Sequence, residues 1–277
     1  MVDIDAAIGY VVAHGDPVER ARLAFLLNGT VPPPHIIERI TAGQTPEGGW
    51  PATGDSSVPS IDATCFRFAE LDDLGALRGP AVDDALGWLA SRQSREGSWQ
   101  EYETLAHEAP PWAMPGDPEA TFYLTAVAGF WLAVAGNEAW RYPGAPNRFA
   151  GQLEGACQCL ISQFRPDGTW PSFLAAGWHA AGLLHEQQHY YESARVQLVL
   201  GDRLGDLSSS DAASMAARLR RLDLGDDWLL GGVRKRLGDT QRRDGGWDSD
   251  EGPIFDVNAT LIAIRALIER PRSTSSS

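Results

Sequence analysis

Cysteine is scarce in this sequence. The chain has 277 residues and three cysteines, Cys65, Cys157 and Cys159. An odd number without framework spacing excludes a disulfide-stapled secreted domain and predicts a reducing, cytoplasmic compartment. Cys157 and Cys159 are two residues apart in a helical pattern. They therefore point to different faces of the helix and are poorly placed to bind one metal ion.

Positive charge and long apolar runs are lacking too. Lys and Arg number 23 against 37 Asp and Glu, for a net charge of −14. So acidic a chain repels phosphate backbones, which excludes nucleic acid as a partner. The start "MVDIDAAIGY" has no basic n-region, and no apolar run could span a bilayer. We therefore expect no signal peptide and no membrane span.

The composition is that of a globular protein. The hydrophobic share of 43% suffices for a full core. We predict a single domain over residues 1–270. The Ser-rich end of the chain predicts a disordered tail over 271–277.

A short motif occurs four times. "QTPEGGW" (44–50), "QSREGSW" (93–99) and "QRRDGGW" (241–247) share one spacing, and "QFRPDGTW" (163–170) has one extra residue. Each follows a helical pattern of apolar residues. The glycines suit a positive φ after a helix end, the Gln amides suit its free carbonyls, and each Trp is expected to wedge between helices. This repeat predicts helix pairs, with 3–14, 16–28 and 210–222 as degenerate copies.

A second helix is predicted after each Trp. Its four starts are aligned as "SIDAT" (60–64), "DPEAT" (117–121), "YYESA" (190–194) and "DVNAT" (256–260). The segment "FYLTAVAGFWLAVAG" is apolar nearly all round, so its helix should be buried on most sides. Copies two and three carry inserts, "YETLAHEAPPWAMPG" and "FLAAGWHAAGLLHEQQH", which are expected to form the functional mouth.

These turns resemble those of the terpenoid cyclase and protein prenyltransferase superfamily. Squalene–hopene and oxidosqualene cyclases carry them as QW motifs. The resemblance covers roughly residues 33–270 and implies an all-α fold, an α/α toroid: a barrel of roughly six helix pairs in inner and outer rings.

The resemblance also implies a chemistry. Cyclases that protonate an alkene or epoxide use a D-x-D-D-T-type motif with the middle Asp as donor. On this chain it falls on Asp117, Glu119 and Thr121, or on Ser60, Asp62 and Thr64, and no copy has all three acids. Protein prenyltransferases hold zinc with Asp, Cys and His. Asp62 and Cys65 match that set less well, because two residues separate them and "DVNAT" has no His.

Three acids share one position of the predicted repeat: Asp62, Glu119 and Glu192. A carboxyl group in an apolar pocket stays protonated and can act as a general acid, and aromatic faces can stabilise the resulting cation. An acid in a first helical turn can equally be an N-cap, and that alternative stays open. The candidate aromatic and polar substrate-binding residues are Trp112, Phe122, Tyr123, Trp178, His179, Tyr190, Tyr191 and Phe255.

"HEQQH" (185–189) matches the H-E-x-x-H pattern. On one helix it would place His185 and His189 on the same face to bind zinc, with Glu186 as base. An ordinary polar loop is the preferred interpretation, so no cofactor is expected. The acidic pair Asp72–Asp73 is interpreted as a helix end.

The sequence thus predicts an enzyme acting on a hydrophobic isoprenoid or polyene natural-product intermediate by acid-initiated cyclisation or isomerisation. Glu119 or Asp62 is the predicted donor, with Asp117, Glu192 and His185 as further catalytic candidates. Two alternatives remain: a metal- or histidine-dependent lyase or hydrolase on the same scaffold, and a non-catalytic binder of a lipid-like ligand.

Overall fold

The computed structural model describes residues 2–54, 56–136, 146–222, 224 and 227–268. In these ranges it has twelve α-helices and four short 3-10 helices. No β-strand occurs in them, only an isolated bridge between Pro51 and Pro59. The predicted all-α class is therefore confirmed, whereas the predicted disordered tail lies outside the described residues.

The helices follow one another through short connections. Their bounds are α1 Ile4–His14, α2 Pro17–Asn28, α3 Pro34–Thr41, α4 Ile61–Asp73, α5 Pro80–Ser91, α6 Pro118–Ala135, α7 Ala150–Ile161, α8 Leu174–Glu186, α9 Tyr190–Asp202, α10 Ser209–Arg221, α11 Asp227–Thr240 and α12 Asp256–Leu267. The degenerate copies predicted at 3–14, 16–28 and 210–222 correspond to α1, α2 and α10.

The chain divides into two compact units. The first comprises residues 1–39, 72–75 and 203–277, and the second comprises 40–71 and 76–202. The single domain over 1–270 stays a prediction.

In the first unit, helix starts are set by local caps. Asp3 accepts the N–H of Ala6 at the start of α1, and Asp16 and Glu19 form a reciprocal capping box at the start of α2. Each such cap satisfies N–H groups that have no partner inside the helix. α12 packs against α1, α2 and α10.

A buried ion network lies at the end of α4 in the same unit. Arg22 contacts Asp73 at 2.5 Å, and Arg221 contacts Asp72 at 3.0 Å. Arg265 contacts both aspartates. The interpretation of Asp72–Asp73 as a helix end is confirmed, and their charges are compensated by arginines.

The four Gly-containing turns have the predicted backbone. φ is 108° at Gly48, 86° at Gly97, 88° at Gly168 and 92° at Gly245, in the region that favours glycine. The prediction of a tight turn after each helix end is confirmed.

The role predicted for the Gln side chains was partly wrong. Only Gln163 donates to a carbonyl of its own preceding helix, that of Cys159. Gln44 instead joins its own turn to the next odd-numbered helix, donating to the carbonyls of Gly48 at 2.6 Å and Ala81 at 2.7 Å. Equivalent bonds join Gln93 to Gly97 and Gln152, and Gln241 to Gly245 and Asp3. These turns thus join successive helix pairs.

The Trp side chains of the same turns are buried, and their indole N–H groups donate to backbone carbonyls. Trp99 is fully buried, and its indole N–H donates to the carbonyl of Leu89 in the preceding helix at 2.8 Å. Trp50 and Trp247 do the same to Thr41 and Leu237. Trp170 differs, because its indole donates forward to Phe173 at 2.8 Å.

The helix predicted to be buried on most sides is α6. Thirteen of its 18 residues are buried, and it packs against α7 and α8 in the second unit. Gly129 lets α6 and α8 approach closely, since a Cβ there would lie 2.5 Å from the Leu183 side chain.

Gly97→Ala is expected to destabilise the protein. A Cβ would lie 2.2 Å from the carbonyl oxygen of Gly155, at a φ that L-residues avoid. The left-handed backbone costs about 1–2 kcal/mol and the overpacking about 1–3 kcal/mol. The free energy of unfolding from urea titration should therefore fall by roughly 2–5 kcal/mol.

Gly87→Ala is the matched control for that substitution. Gly87 lies inside α5, and a Cβ added there would meet no atom of the surrounding chain within 4 Å. Alanine there should stabilise the helix by roughly 0.5–1 kcal/mol. Equal effects of the two substitutions would contradict the role given to the turn.

Candidate functional site

The first turn of α4 contains the acid Asp62, but its backbone N–H groups are capped by the side chains of Ser60 and Glu101. Ser60 Oγ accepts the N–H of Ala63 at 3.1 Å. Glu101, 40 residues away, accepts the N–H of Ile61 at 3.0 Å, the N–H of Asp62 at 2.9 Å and the Ser60 hydroxyl at 2.7 Å. The free N–H groups of this turn are therefore satisfied without the Asp62 carboxyl group.

Asp62 uses its carboxyl group elsewhere. Trp112 Nε1 donates to Oδ2 at 3.1 Å, and the Tyr123 hydroxyl lies 3.2 Å from Oδ1. Trp112 belongs to the 3-10 helix Pro111–Ala113, and Tyr123 to α6. The capping interpretation, left open from the sequence, does not apply to Asp62.

Further aromatic side chains lie on the elements that carry this acid and its partners. Trp112 is 41% exposed, and Phe66 follows Asp62 by one helical turn on the same face of α4 at 57% exposure. The Tyr123 ring meets Phe173 edge to face, with ring centroids 6.4 Å apart. We call Phe66, Trp112, Tyr123 and Phe173 the aromatic rim.

Behind the rim lies a buried layer. The His179 ring stands edge to face against Tyr123 at 6.3 Å and Phe130 at 5.2 Å between centroids. Its Nδ1 lies 2.9 Å from the carbonyl oxygen of Ala175, one turn earlier in α8, which requires the Nδ1–H tautomer for a hydrogen bond. His179, predicted to bind substrate, is thus buried and supports Tyr123 from behind.

Glu119 does not meet the requirement set for a donor in an apolar pocket. Its side chain is exposed at the start of α6. Asp117 is the N-cap of that helix and accepts the N–H of Glu119 at 2.7 Å. The capping interpretation therefore describes Asp117, and Glu119 points into solvent.

The alignment of "DPEAT" with "SIDAT" was wrong by one helical turn. The backbone N–H of Trp50 donates to Thr64 Oγ1 at 2.9 Å, and that of Trp99 donates to Thr125 Oγ1 at 3.0 Å, not to Thr121. Relative to the threonine that accepts this bond, α6 begins one turn earlier than α4 does. The residue of α6 that corresponds to Asp62 is therefore Tyr123, its own hydrogen-bond partner.

The third helix start was also misplaced. α8 begins at Leu174, four residues after Trp170, so the predicted insert "FLAAGWHAAGLLHEQQH" contains the helix that follows the turn. "YYESA" opens α9, and Glu192 lies half-buried on that helix. Glu192 is thus not the counterpart of Asp62.

The H-E-x-x-H segment is not on one helix. α8 ends at Glu186, and Gln188 adopts a φ of 65°. His185 stacks edge to face on Tyr190 at 5.2 Å, whereas His189 lies beyond the break. Because the left-handed residue separates them, the two rings do not share a helix face as the zinc hypothesis required.

No group of three or more His, Cys, Asp or Glu in the described ranges is arranged to hold a metal ion. The absence of a cofactor stays a prediction.

The other predicted substrate-binding residues lie in different environments. Phe122 and Trp178 are buried, and Phe122 packs on Phe164. Tyr190 and Tyr191 are 57% and 69% exposed on α9. Phe255 belongs to the first unit and is 42% exposed. Of the predicted set, Trp112 and Tyr123 contact the Asp62 carboxyl group.

Sequence reasoning missed Glu101. It lies two residues after Trp99, where the other three turns have Ala52, Ser172 and Ser249. An acid at this one copy of the repeat, beside a buried Trp, was the available signal. Burial raises the pKa of the Glu101 carboxyl group, and its three hydrogen bonds oppose that shift.

Glu101 should make stability depend on pH. Between the ordinary Glu pKa of 4.5 and the raised folded value, the native state binds more protons than the unfolded state. Its contribution to stability is therefore full below this window and lost as pH rises through it. The stability difference between wild type and Glu101→Gln, from urea titrations at pH 4 to 7, should shrink with rising pH; a constant or growing difference contradicts this.

The second unit also has a groove of about 480 Å³ that does not contain Asp62. It lies between the turn at 44–48 and α5, and its rim is polar, with exposed Glu47, Asp83 and Asp84. Asp83 pairs with Arg148 at 2.9 Å. This acidic groove is unsuited to an apolar substrate.

None of the helices in the described ranges combines the length and hydropathy needed to cross a membrane.

Comparisons with known proteins give structural likeness without sequence likeness. No family model matches the chain, and no curated protein matches it. A protein from Actinoplanes is similar at 16% identity with a TM-score of 0.59, covering 95% of this chain and 98% of that one.

A type II terpene cyclase, MstE from Scytonema, is similar too. A variant in complex with merosterolic acid A (product) matches at 14% identity and a TM-score of 0.58, covering 95% of this chain and 94% of that one. A variant in complex with geranylgeranyl dihydroxybenzoate (substrate) matches at 15% identity and a TM-score of 0.55, covering 95% of each chain. Type II terpene cyclases are helical toroid folds, and at this identity the likeness shows that this chain has a terpene cyclase-like fold.

Proposed function

We propose that the protein is an enzyme that starts the cyclisation of an isoprenoid or polyene substrate by protonating it, with Asp62 as the acid. The observation that carries the proposal is the Asp62 carboxyl group, which is held between the Trp112 indole and the Tyr123 hydroxyl. The likeness to a cyclase that binds a geranylgeranyl substrate supports it at the level of the fold.

The hydrogen bonds at Asp62 suit a general acid. The Trp112 indole can only donate, so it fixes Oδ2 as the carbonyl-like acceptor. The Tyr123 hydroxyl can donate or accept, so it accommodates a proton on Oδ1. Both protonation states of Asp62 therefore keep their partners, and Oδ1 is the oxygen that transfers the proton.

The reaction balances as an isomerisation. The proton from Oδ1 adds to one carbon of a terminal alkene, whose π electrons form the new C–H bond. The resulting cation is attacked by the next alkene, which forms a C–C bond, and the last cation loses a proton. The partly exposed faces of Phe66, Trp112 and Phe173 are placed to stabilise positive charge near Asp62.

The exposed aromatic rim also supports a hydrophobic small molecule as the substrate. The exposed aromatic side chains near Asp62 suit an apolar substrate chain with a reactive alkene. A polar substrate would leave this aromatic surface in contact with water. The lyase or hydrolase alternative relied on His185 and His189, and no observation at either residue favours it.

The test is product mass. The probe is geranylgeranyl dihydroxybenzoate, incubated with purified protein beside a free polyprenyl alcohol and a linear triterpene. The proposal expects a product of the same mass as its substrate with fewer alkenes by NMR. A product that has lost a fragment, or that has gained water without forming a new ring, supports the hydrolase or lyase alternative, and ligand binding without any product supports the non-catalytic binder.

A further inference from the structure

Glu101 is an unusual buried acid in this protein. It is 3% exposed, and no ion pair of the described residues includes it. By contrast, the buried Asp72 and Asp73 pair with arginines. A buried carboxylate without a counter-ion costs free energy that hydrogen bonds offset only in part.

Capping alone does not account for that cost. A local Ser, Thr, Asp or Asn caps a helix start at the surface, and Ser60 already does so for Ala63. Glu101 reaches the same turn from 40 residues away and accepts the N–H of Asp62 itself. The Glu101 carboxyl group is thereby held against the backbone of one particular acid of the chain.

We infer that Glu101 is a positioning residue that fixes the first turn of α4 and thereby sets where the Asp62 carboxyl group lies for proton transfer. The inference rests on the proposed function, because it assigns a role to Asp62 in the reaction. No contact between Glu101 and substrate is required.

The physical basis is twofold. The bonds to Ile61, Asp62 and Ser60 use both Glu101 oxygens, so the backbone that carries Asp62 cannot rotate without breaking them. A side chain that fixes this backbone also fixes the direction in which the Asp62 carboxyl group leaves the helix. Burial and the charge of Asp62 raise the pKa of Glu101, which indicates that the two carboxyl groups lie close enough to interact.

Cys65 and Tyr123 are titratable side chains next to the Asp62–Glu101 pair. Cys65 on α4 is buried, and burial, Asp62 and Glu101 raise the pKa of its thiol, so it stays neutral. Tyr123 on α6 contacts Asp62 as a hydroxyl group.

The first test needs no substrate. The Glu101 carboxyl titration is followed by carbon-13 NMR in wild type, Asp62→Asn and the control Glu103→Gln, which removes an exposed charge two residues from Glu101. The Glu101 midpoint should fall in Asp62→Asn and stay in place in Glu103→Gln. An unchanged midpoint in Asp62→Asn overturns the inference, even if Glu101 variants fail to fold.

The second test measures turnover of geranylgeranyl dihydroxybenzoate. Glu101→Gln should lower kcat by about tenfold or more with little change in KM, because the turn that carries Asp62 is then held less firmly. Ser60→Ala is the matched control, since it removes a cap of the same turn but keeps the Glu101 bonds to the N–H groups of Ile61 and Asp62. It should lower the melting temperature with little change in kcat.

The outcomes separate the two proposals. If Asp62→Asn is inactive while Glu101→Gln keeps the wild-type kcat, the inference fails and the proposed function stands. If Glu101→Gln only lowers the melting temperature as Ser60→Ala does, Glu101 is a cap and the inference fails. If Asp62→Asn keeps full turnover, the proposed function fails, and a fall in the Glu101 midpoint shows only that the two carboxyl groups are coupled.

Discussion

Asp62→Asn is expected to lower turnover of the geranylgeranyl probe by about 10²–10⁴-fold, the usual contribution of a general acid. Asparagine keeps the size of the side chain and an oxygen that can accept from the Trp112 indole, so the fold and substrate binding should persist. It cannot transfer a proton. The measurement is kcat beside the affinity for the unreacted probe, with circular dichroism to verify the helices.

Glu119→Gln is the matched control for this substitution. Glu119 is an acid in the first turn of α6, as Asp62 is in the first turn of α4, but it is exposed. Its replacement should leave turnover unchanged. If Glu119→Gln removes turnover and Asp62→Asn does not, the acid has been assigned to the wrong residue.

Trp99→Ala is expected to have the largest effect on stability. The side chain is fully buried, and its indole N–H is bonded to Leu89 while its backbone N–H is bonded to Thr125. Truncation of a buried Trp costs about 3–5 kcal/mol. Since a domain has about 5–15 kcal/mol of stability in all, the variant should unfold at a markedly lower urea concentration.

Trp112→Ala provides the comparison for Trp99. Trp112 is 41% exposed and belongs to the aromatic rim. Its loss should cost less unfolding free energy than the loss of Trp99, since a large part of the Trp112 side chain stays in contact with water in the folded state, but should lower turnover. Comparable destabilisation by the two substitutions would contradict the distinction between turn and site tryptophans.

The turns could be predicted from the sequence because they are local. The glycine that needs a positive φ and the Trp that closes the turn lie within seven or eight residues of the Gln, so one short motif specifies them. Residues 122–136 are apolar on nearly all sides of a helix, which likewise predicted that α6 is buried. Local geometry and composition were therefore sufficient for the fold class.

The site depended on contacts that no local pattern encodes. The alignment of α6 with α4 is set by the Trp99–Thr125 bond, and the competing "DPEAT" start looked more like "SIDAT" than the true counterpart did. Glu101 reaches α4 across 40 residues, and Tyr123 reaches Asp62 across 61. Asp62 and Trp112 were both candidates from the sequence, but the hydrogen bond between them became visible only in three dimensions.

α8 was misplaced for a different reason. Its sequence is rich in Ala and Gly, and its start has no acid or hydroxyl residue that marks an N-cap, because Phe173 occupies that position without a side-chain bond. The more polar "YYESA" therefore attracted the prediction. The break after Glu186, caused by the left-handed Gln188, separates His185 from His189 and could not be inferred from the H-E-x-x-H spacing.

Deuterium incorporation tests proton-initiated catalysis most directly. The probe is turned over in D₂O, where the exchangeable proton of Asp62 is replaced by deuterium before each cycle. The account predicts a cyclised product with one deuterium, in a C–D bond at the carbon that was protonated, and loss of this product in Asp62→Asn. A cyclised product without deuterium would contradict it, because the ring would then have formed without proton transfer from the enzyme.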